Sequence, residues 1–358
     1  MKIGIDVSSI IYETGVSWYT YHLVKNLLSE DKEGSYVLFG GSLRRIGELK
    51  RKLEDIGGKF EARIFPFPPT LTGFVWNVLH TAPIETFTGK LDVFHSSDWA
   101  QPPCEAFKVT TVHDLTPIKF PKLSHPRIVS AHAARFKWVK KEVDAVIAPS
   151  ISTKNDLLEL GIPESRIFVV PEAPDPRISR ASSGDVKKLK NRYRISGKYL
   201  LAVGTAPRKN IARIIETYEK IRAGQDLKLV VIGEAPKFPE SPRGVIFTGH
   251  VPFHELSAFY TGAAALVYAS LYEGFGLPIL EAFACGTPVV ASNTSSLPEV
   301  ASDGAVLVDP YDTDDIAFGI RQVLDGAEDL TKRGRARLKD FSWKKTAQET
   351  LKIYNRNY

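Results

Sequence analysis

The chain has 358 residues, 43% hydrophobic and 25% charged, with a net charge of +6; this is the balance of an ordinary soluble protein with room for two domains. No apolar run approaches the roughly 18 residues of a membrane span, and Met1–Asp6 enters a strand pattern at once, so neither a membrane helix nor a signal peptide is expected. Two cysteines, Cys104 and Cys285, make no disulfide framework and fit a reducing cytosol, while the mild positive charge favours anionic small molecules or a lipid surface over nucleic acid.

The first half alternates strands with helical spacing. Lys2–Val7 reads as a strand, and Glu13-Thr14-Gly15-Val16-Ser17 follows it without forming the G-x-G-x-x-G dinucleotide fingerprint. Trp18, Tyr19, Leu23, Val24, Leu27 and Leu28 then recur at helical intervals. Short apolar runs at Tyr36–Gly40, Phe60–Phe65, Val93–His95, Val109–Val112, Ala145–Ala148 and Phe168–Val170 are strands of the buried parallel kind. Thr111-Val112-His113-Asp114-Leu115 lies at a strand's carboxyl end, where a His beside an Asp can exchange a proton with a bound hydroxyl. His95, at an earlier strand end, reads as structural. Segment 122–141 carries Lys122, Arg127, Arg135, Lys137, Lys140 and Lys141 with Phe136, Trp138 and Val139 and no acid. With Phe74, Val75 and Trp76 it is either a solvated face packed on a core or a surface that rests on anionic membrane.

Pro171–Ser196, with three prolines and Ser182-Ser183-Gly184, has no apolar rhythm and reads as the linker between domains. The alternation resumes with strands at Tyr199–Val203, Leu227–Ile232, Val245–Thr248, Ala263–Ala269, Pro288–Ala291 and Ala305–Val308. Repeated β–α units predict two doubly wound parallel sheets with a ligand at the carboxyl ends of the strands. Gly204-Thr205-Ala206-Pro207-Arg208-Lys209-Asn210 puts two cations where a helix is expected to start, a conflict with the helix dipole that a bound anion would relieve. Gly249-His250-Val251-Pro252 is another strand-to-helix turn. In Asp312-Thr313-Asp314-Asp315 the apolar spacing after Asp315 points to a helix cap and first turn rather than a metal site.

The densest stretch is Glu273-Gly274-Phe275-Gly276-Leu277-Pro278-Ile279-Leu280-Glu281-Ala282-Phe283-Ala284-Cys285-Gly286, between two buried strands. Pro278 suits a helix start and Gly286 a helix end; Gly274 and Gly276 let backbone approach a ligand, and Glu281 is expected in the first helical turn. From the residues alone it is a strand–loop–helix able to hold an anion, with two carboxylates to grip hydroxyls beside it.

The string E-G-F-G-L-P-x-x-E-A-x-A-x-G-x-P-V-V resembles the donor-site signature of the retaining GT-B glycosyltransferases of family 4. That resemblance covers nearly the whole chain and implies an α/β, GT-B architecture: two doubly wound Rossmann-like domains facing a central cleft. Residues 1–172 with a terminal helix 343–358 would form the acceptor domain, and 173–342 the nucleotide-sugar donor domain. It implies a metal-independent hexosyltransferase with no cofactor, using a nucleotide diphosphate sugar and a saccharide or lipid-linked acceptor in cell-surface polysaccharide or lipopolysaccharide synthesis. T-V-H-D-L-T-P and G-T-x-P-R-K-N look like the mannosyltransferase branch, which favours GDP-mannose. Arg208 and Lys209 would meet the diphosphate, although Thr205 stands where many members have Arg. His113 would contact the transferred sugar and Glu273 would meet the same sugar. Gly15, Asp114, Gly204, Thr205, the Val251 backbone, Gly274, Phe275, Gly276 and Leu277 would line the donor site, and Glu281 would grip the ribose. The location implied is cytoplasmic, with peripheral contact at the inner membrane face through the first domain. A GT-B epimerase or phosphorylase, or a non-catalytic nucleotide-sugar binding protein, would share these features.

Overall fold

The computed structural model describes residues 1–223, 226–236 and 242–357. Tyr358, the last residue of the expected terminal helix, lies outside them. The chain divides into two compact units, Met1–Glu172 with Ser342–Tyr358, and Ala173–Phe341.

The first unit holds seven strands: β1 (Lys2–Asp6), β2 (Ser35–Gly41), β3 (Glu61–Phe65), β4 (Val93–Ser96), β5 (Phe107–Thr111), β6 (Ala145–Ala148) and β7 (Ile167–Val169), in the order β3-β2-β1-β4-β5-β6-β7. Every pairing is parallel. Strands such as Val93–Ser96 and Ala145–Ala148 are buried at every residue. Covered on both faces, such strands lose polar alternation and show in the sequence as plain apolar runs. The order reverses between β1 and β4, the topological switch point at which such sheets open a binding crevice. Trp343–Tyr354 packs on the helix Gly15–Glu30, stacking the Trp343 ring on His22 at 5.1 Å.

The second unit repeats the plan with β8 (Lys198–Val203), β9 (Leu227–Ile232), β10 (Val245–Phe247), β11 (Ala265–Tyr268), β12 (Val289–Ser292) and β13 (Ala305–Val308), in the order β10-β9-β8-β11-β12-β13. All of these pairings are parallel too, and the switch point lies between β8 and β11.

Two expectations about organisation are corrected. The stretch read as a linker contains a ten-residue helix, Ser183–Arg192, capped by the Ser182 side chain and belonging to the second unit. Leu189 is its buried residue, so the segment lacks the apolar periodicity that would reveal it. In segment 122–141, Arg135 is 2% exposed, and Phe136 and Val139 are core residues. Trp76 is buried as well, within the single turn of π-helix Phe74–Leu79. The surface of this region is therefore made by only part of the residues read there: Lys122, Arg127, Lys137, Lys140 and Lys141 are exposed.

Candidate active site

In the second unit the site starts from the turn after β8. Gly204 has φ +84°, and a Cβ built there would stand 3.2 Å from Cε of Lys209, so glycine leaves the path for that side chain. Pro207–Lys209 is a single 3-10 turn, and Asn210, left-handed at φ 60°, separates it from the helix Ile211–Ile221. The cations therefore do not occupy a helix start, as the sequence suggested. Asn210 is fixed by donating from Nδ2 to the carbonyls of Ala269 and Pro310, at 3.0 and 2.7 Å.

The anion that answers these cations inside the fold is Glu273. Lys209 Nζ lies 2.6 Å from Glu273 Oε1 and 2.6 Å from the Tyr268 hydroxyl at the end of β11, while Arg208 Nη1 is 3.7 Å from Glu273 Oε2. Burial pushes the Glu273 carboxyl up, but the charges of Lys209 and Arg208 outweigh it and hold the group below the usual glutamate value. The loop is pinned at its backbone: Ser296 Oγ donates to the carbonyls of Glu273 and Phe275 at 2.9 and 2.6 Å, and the Glu273 N–H donates to Ser295 Oγ at 3.1 Å. Arg208 is tied in through its carbonyl, which accepts from the Leu271 N–H at 2.8 Å.

Gly276 (φ +119°) precedes the helix Leu277–Cys285, which closes on left-handed Gly286. Because the helix begins at Leu277, Glu281 is its fifth residue, in the second turn rather than the first. Glu281 Oε2 accepts from the Tyr260 hydroxyl at 2.5 Å. Burial raises its pKa, Asp175 adds to the rise, and Tyr260 and Lys209 oppose it. Phe275 is buried edge-on to Phe341 at 5.8 Å. Val251 sends its side chain into the core, and the Thr205 side chain packs close under Gly233. Arg208, Lys209, Glu273 and Glu281 thus share one neighbourhood at the switch point.

Tyr268 and Tyr260 were missed in the sequence. Both sit in apolar patterns, and the one available signal is that a buried Tyr hydroxyl requires a partner. Asp312 accepts from the Asp314 and Asp315 N–H groups as the cap of Thr313–Asp325.

In the first unit, His113, Gly15 and Asp114 stand near the strand tips. Gly15 opens the helix Gly15–Glu30 behind a Thr14–Ser17 capping box, and a Cβ there would meet nothing within 4 Å. Asp114 Oδ1 accepts from the Thr116 N–H at 2.9 Å. His113 lines a hollow with Asp6, Val16, Tyr19, Ser97 and Asp98. Its Nδ1 lies 2.7 Å from Glu172 Oε1. Burial alone would lower the imidazole pKa; the Glu172 hydrogen bond and charge, with Asp98 and Asp114, lift it above the ordinary value. His95 is structural: Nδ1 meets the Tyr354 hydroxyl at 2.6 Å and Nε2 meets Thr111 Oγ1 at 2.9 Å. Burial, aided by the positive charges of His113 and Arg135, pushes its pKa down to about 3, so it is neutral. Buried Arg135 pairs with Asp98 at 3.3 Å. Asp6, Asp98 and Glu172 had no signal in the sequence beyond lying near strand ends, and Tyr19 showed only as one of the apolar positions of the first helix.

Two family models match: Glycosyltransferase Family 4 over residues 14–177 and Glycosyl transferases group 1 over residues 186–339. The O-antigen chain mannosyltransferase B of Escherichia coli is 29% identical, with 99% of each chain covered. Among solved structures, sucrose-phosphate synthase from Thermosynechococcus elongatus superposes with a TM-score of 0.76 at 19% identity, over 100% of this chain and 99% of that one. The Anabaena protein HepE, in complex with UDP and glucose, gives 0.71 at 17%, over 99% of each. The paired parallel sheets, the pinned glutamate loop after β11 and the two family models on either side of residue 180 agree: the chain belongs to the family 4, group 1 glycosyltransferases and has the GT-B fold.

Proposed function

We propose that this glycosyltransferase moves mannose, with retention of anomeric configuration and without a metal, from GDP-mannose to a saccharide or lipid-linked acceptor of a cell-surface polysaccharide. The observation that carries the reading is the cluster of Arg208, Lys209 and Glu273 at the carboxyl ends of β8 and β11. A departing nucleoside diphosphate gathers negative charge on its oxygens. Cations already in place stabilise that charge with little reorganisation, the largest kind of electrostatic catalysis. Lys209 would pass from Glu273 toward the phosphate, and Arg208 would add a second point of positive charge. Glu273, kept ionised by its neighbours, accepts hydrogen bonds from sugar hydroxyls, and Glu281 takes the ribose. The end-to-end likeness to a mannosyltransferase supports the choice of sugar.

Thermal-shift titration with GDP, UDP and ADP and their sugars tests the donor, since a ligand that binds the native state raises the melting point by mass action. A shift with UDP-sugars and none with GDP-mannose would overturn the donor. NMR of the product's anomeric proton reads the stereochemistry, and an inverted product would overturn retention.

We also propose that the first unit rests on anionic lipid. Leu71, Phe74, Val78 and Leu79 are exposed on a segment joined to the basic helix Pro126–Glu142, where Trp138 stacks on His80 at 3.5 Å and donates to the Asn77 carbonyl at 2.8 Å. Exposed apolar side chains beside lysines suit an interface of acyl chains and negative headgroups. Among the described residues no helix is long and apolar enough to cross a membrane. Sedimentation with phosphatidylglycerol vesicles should carry the protein down and Phe74→Ser with Leu79→Ser should release it; equal sedimentation with phosphatidylcholine alone would overturn the charge component.

A further inference from the structure

Glu172 follows β7 and is 5% exposed. The hydrogen bond recorded for its side chain among the described residues runs to His113 Nδ1, at 2.7 Å. A buried carboxylate is costly unless it is paired, so this contact is one that both groups need. The imidazole is held from a second side as well: the Tyr19 ring meets it edge-on, with centroids 4.4 Å apart and planes at 81°. Tyr19 is itself fixed, its hydroxyl 3.0 Å from Thr111 Oγ1 and its ring edge-on to Trp343 at 5.7 Å. The ring of His113 therefore has a set plane and a set Nδ1 partner, which leaves Nε2 as the nitrogen open to a ligand.

We propose that Glu172 is the positioning residue of the transfer site: it holds the Nδ1–H of His113, selects that neutral tautomer of the ring and so keeps the Nε2 lone pair available to accept a hydrogen bond from a sugar hydroxyl. A carboxylate on one ring nitrogen sets what the other can do, and losing such a partner lets the wrong tautomer form. This rests on the reading of His113 as a group of the transfer site. The other charged or titratable groups around the ring are Asp98 after β4, Asp114 beside it, His95 on β4, Asp6 on β1 and Tyr19 on the first helix. Asp98 is already paired with Arg135, and Asp114 accepts from Thr116. Glu172 is the acid in direct contact.

The test is a histidine-selective NMR titration of the full chain, beside transfer kinetics, for wild type, Glu172→Gln, Glu172→Asp and His113→Ala. In wild type, His113 should titrate above the ordinary histidine value near 6.5, and in Glu172→Gln it should titrate lower, with the Nδ1–H tautomer no longer dominant. The kcat of Glu172→Gln should fall about tenfold or more, while donor KM stays within about twofold. The limb of the pH profile that belongs to His113 should move to lower pH in step, and Glu172→Asp should recover part of the loss. Equal His113 titration in wild type and Glu172→Gln would overturn the proposal. So would Glu172→Gln slowing transfer further in a His113→Ala background, because Glu172 would then act on its own. Full turnover by His113→Ala would instead overturn the role of His113, with the NMR titration showing whether the pair itself stands.

Discussion

At Lys209 one ammonium group is shared between two oxygens, each 2.6 Å away, one a carboxylate and one a phenol. Removing it takes away a charge-assisted hydrogen bond to any phosphate and leaves Glu273 buried with Arg208 at 3.7 Å as its remaining recorded cation. Lys209→Ala is expected to weaken nucleoside diphosphate binding by roughly 1.5–3 kcal/mol, about tenfold to over a hundredfold, and nucleoside binding far less; calorimetry with GDP against guanosine checks it, and equal losses would refute the phosphate role. The two glutamates should part company. Glu281→Ala should lose bare-nucleotide affinity, whereas Glu273→Ala should keep it and lose on the order of a hundredfold in turnover through a misaligned sugar. Tyr260→Phe, which removes the donor 2.5 Å from Glu281 Oε2, should shift nucleotide affinity in the direction of Glu281→Ala. The pH dependence of stability follows from Glu273, whose folded pKa is lowered from an ordinary 4.5. Its contribution is present above the unfolded value and is lost as pH falls through the lower folded value. The stability gap between wild type and Glu273→Gln in urea unfolding should therefore be full at pH 7 and shrink as the pH drops below about 4.5.

The loop between β11 and the Leu277–Cys285 helix is held at its backbone through Ser295 and Ser296, and at its side chains through Glu273 and Phe275. At Gly276 the φ of +119° is one that side-chain-bearing residues rarely adopt, and a Cβ there would lie 2.7 Å from Leu297. Gly276→Ala should cost roughly 1–3 kcal/mol of stability, read as a lower urea midpoint, and should impair nucleotide binding beyond what the stability loss explains. How this element looks in sequence shows what was legible. Buried parallel strands such as Ala145–Ala148 stood out as unbroken apolar runs, and the glycines and Pro278 marked the turn. The helix Ser183–Arg192 did not stand out, because it buries one leucine among charges. The partnership of Lys209 with Glu273, 64 residues away, and those of Tyr260 and Tyr268 are products of tertiary packing that no local pattern encodes. The same is true of Glu172, which local spacing placed at a boundary and the fold places against His113.

For the whole molecule, the proposed transfer chemistry runs on charges the chain itself carries, so activity should survive excess EDTA; a loss restored by Mg²⁺ or Mn²⁺ would sink metal independence. Asp312–Asp315, the acidic run nearest to a metal motif, is spent on a helix cap. Gly15 carries a different consequence. Its φ is not in the left-handed range and a methyl group would meet nothing within 4 Å, so folding alone gives no reason for glycine at the head of that helix. Alanine there should restrict the unfolded chain and raise stability by about 0.4–1 kcal/mol. If the empty space above Gly15 serves a substrate, the same methyl group should raise KM or slow transfer while the melting temperature climbs. One atom would then set durability against activity, a trade made at the first turn of the first helix.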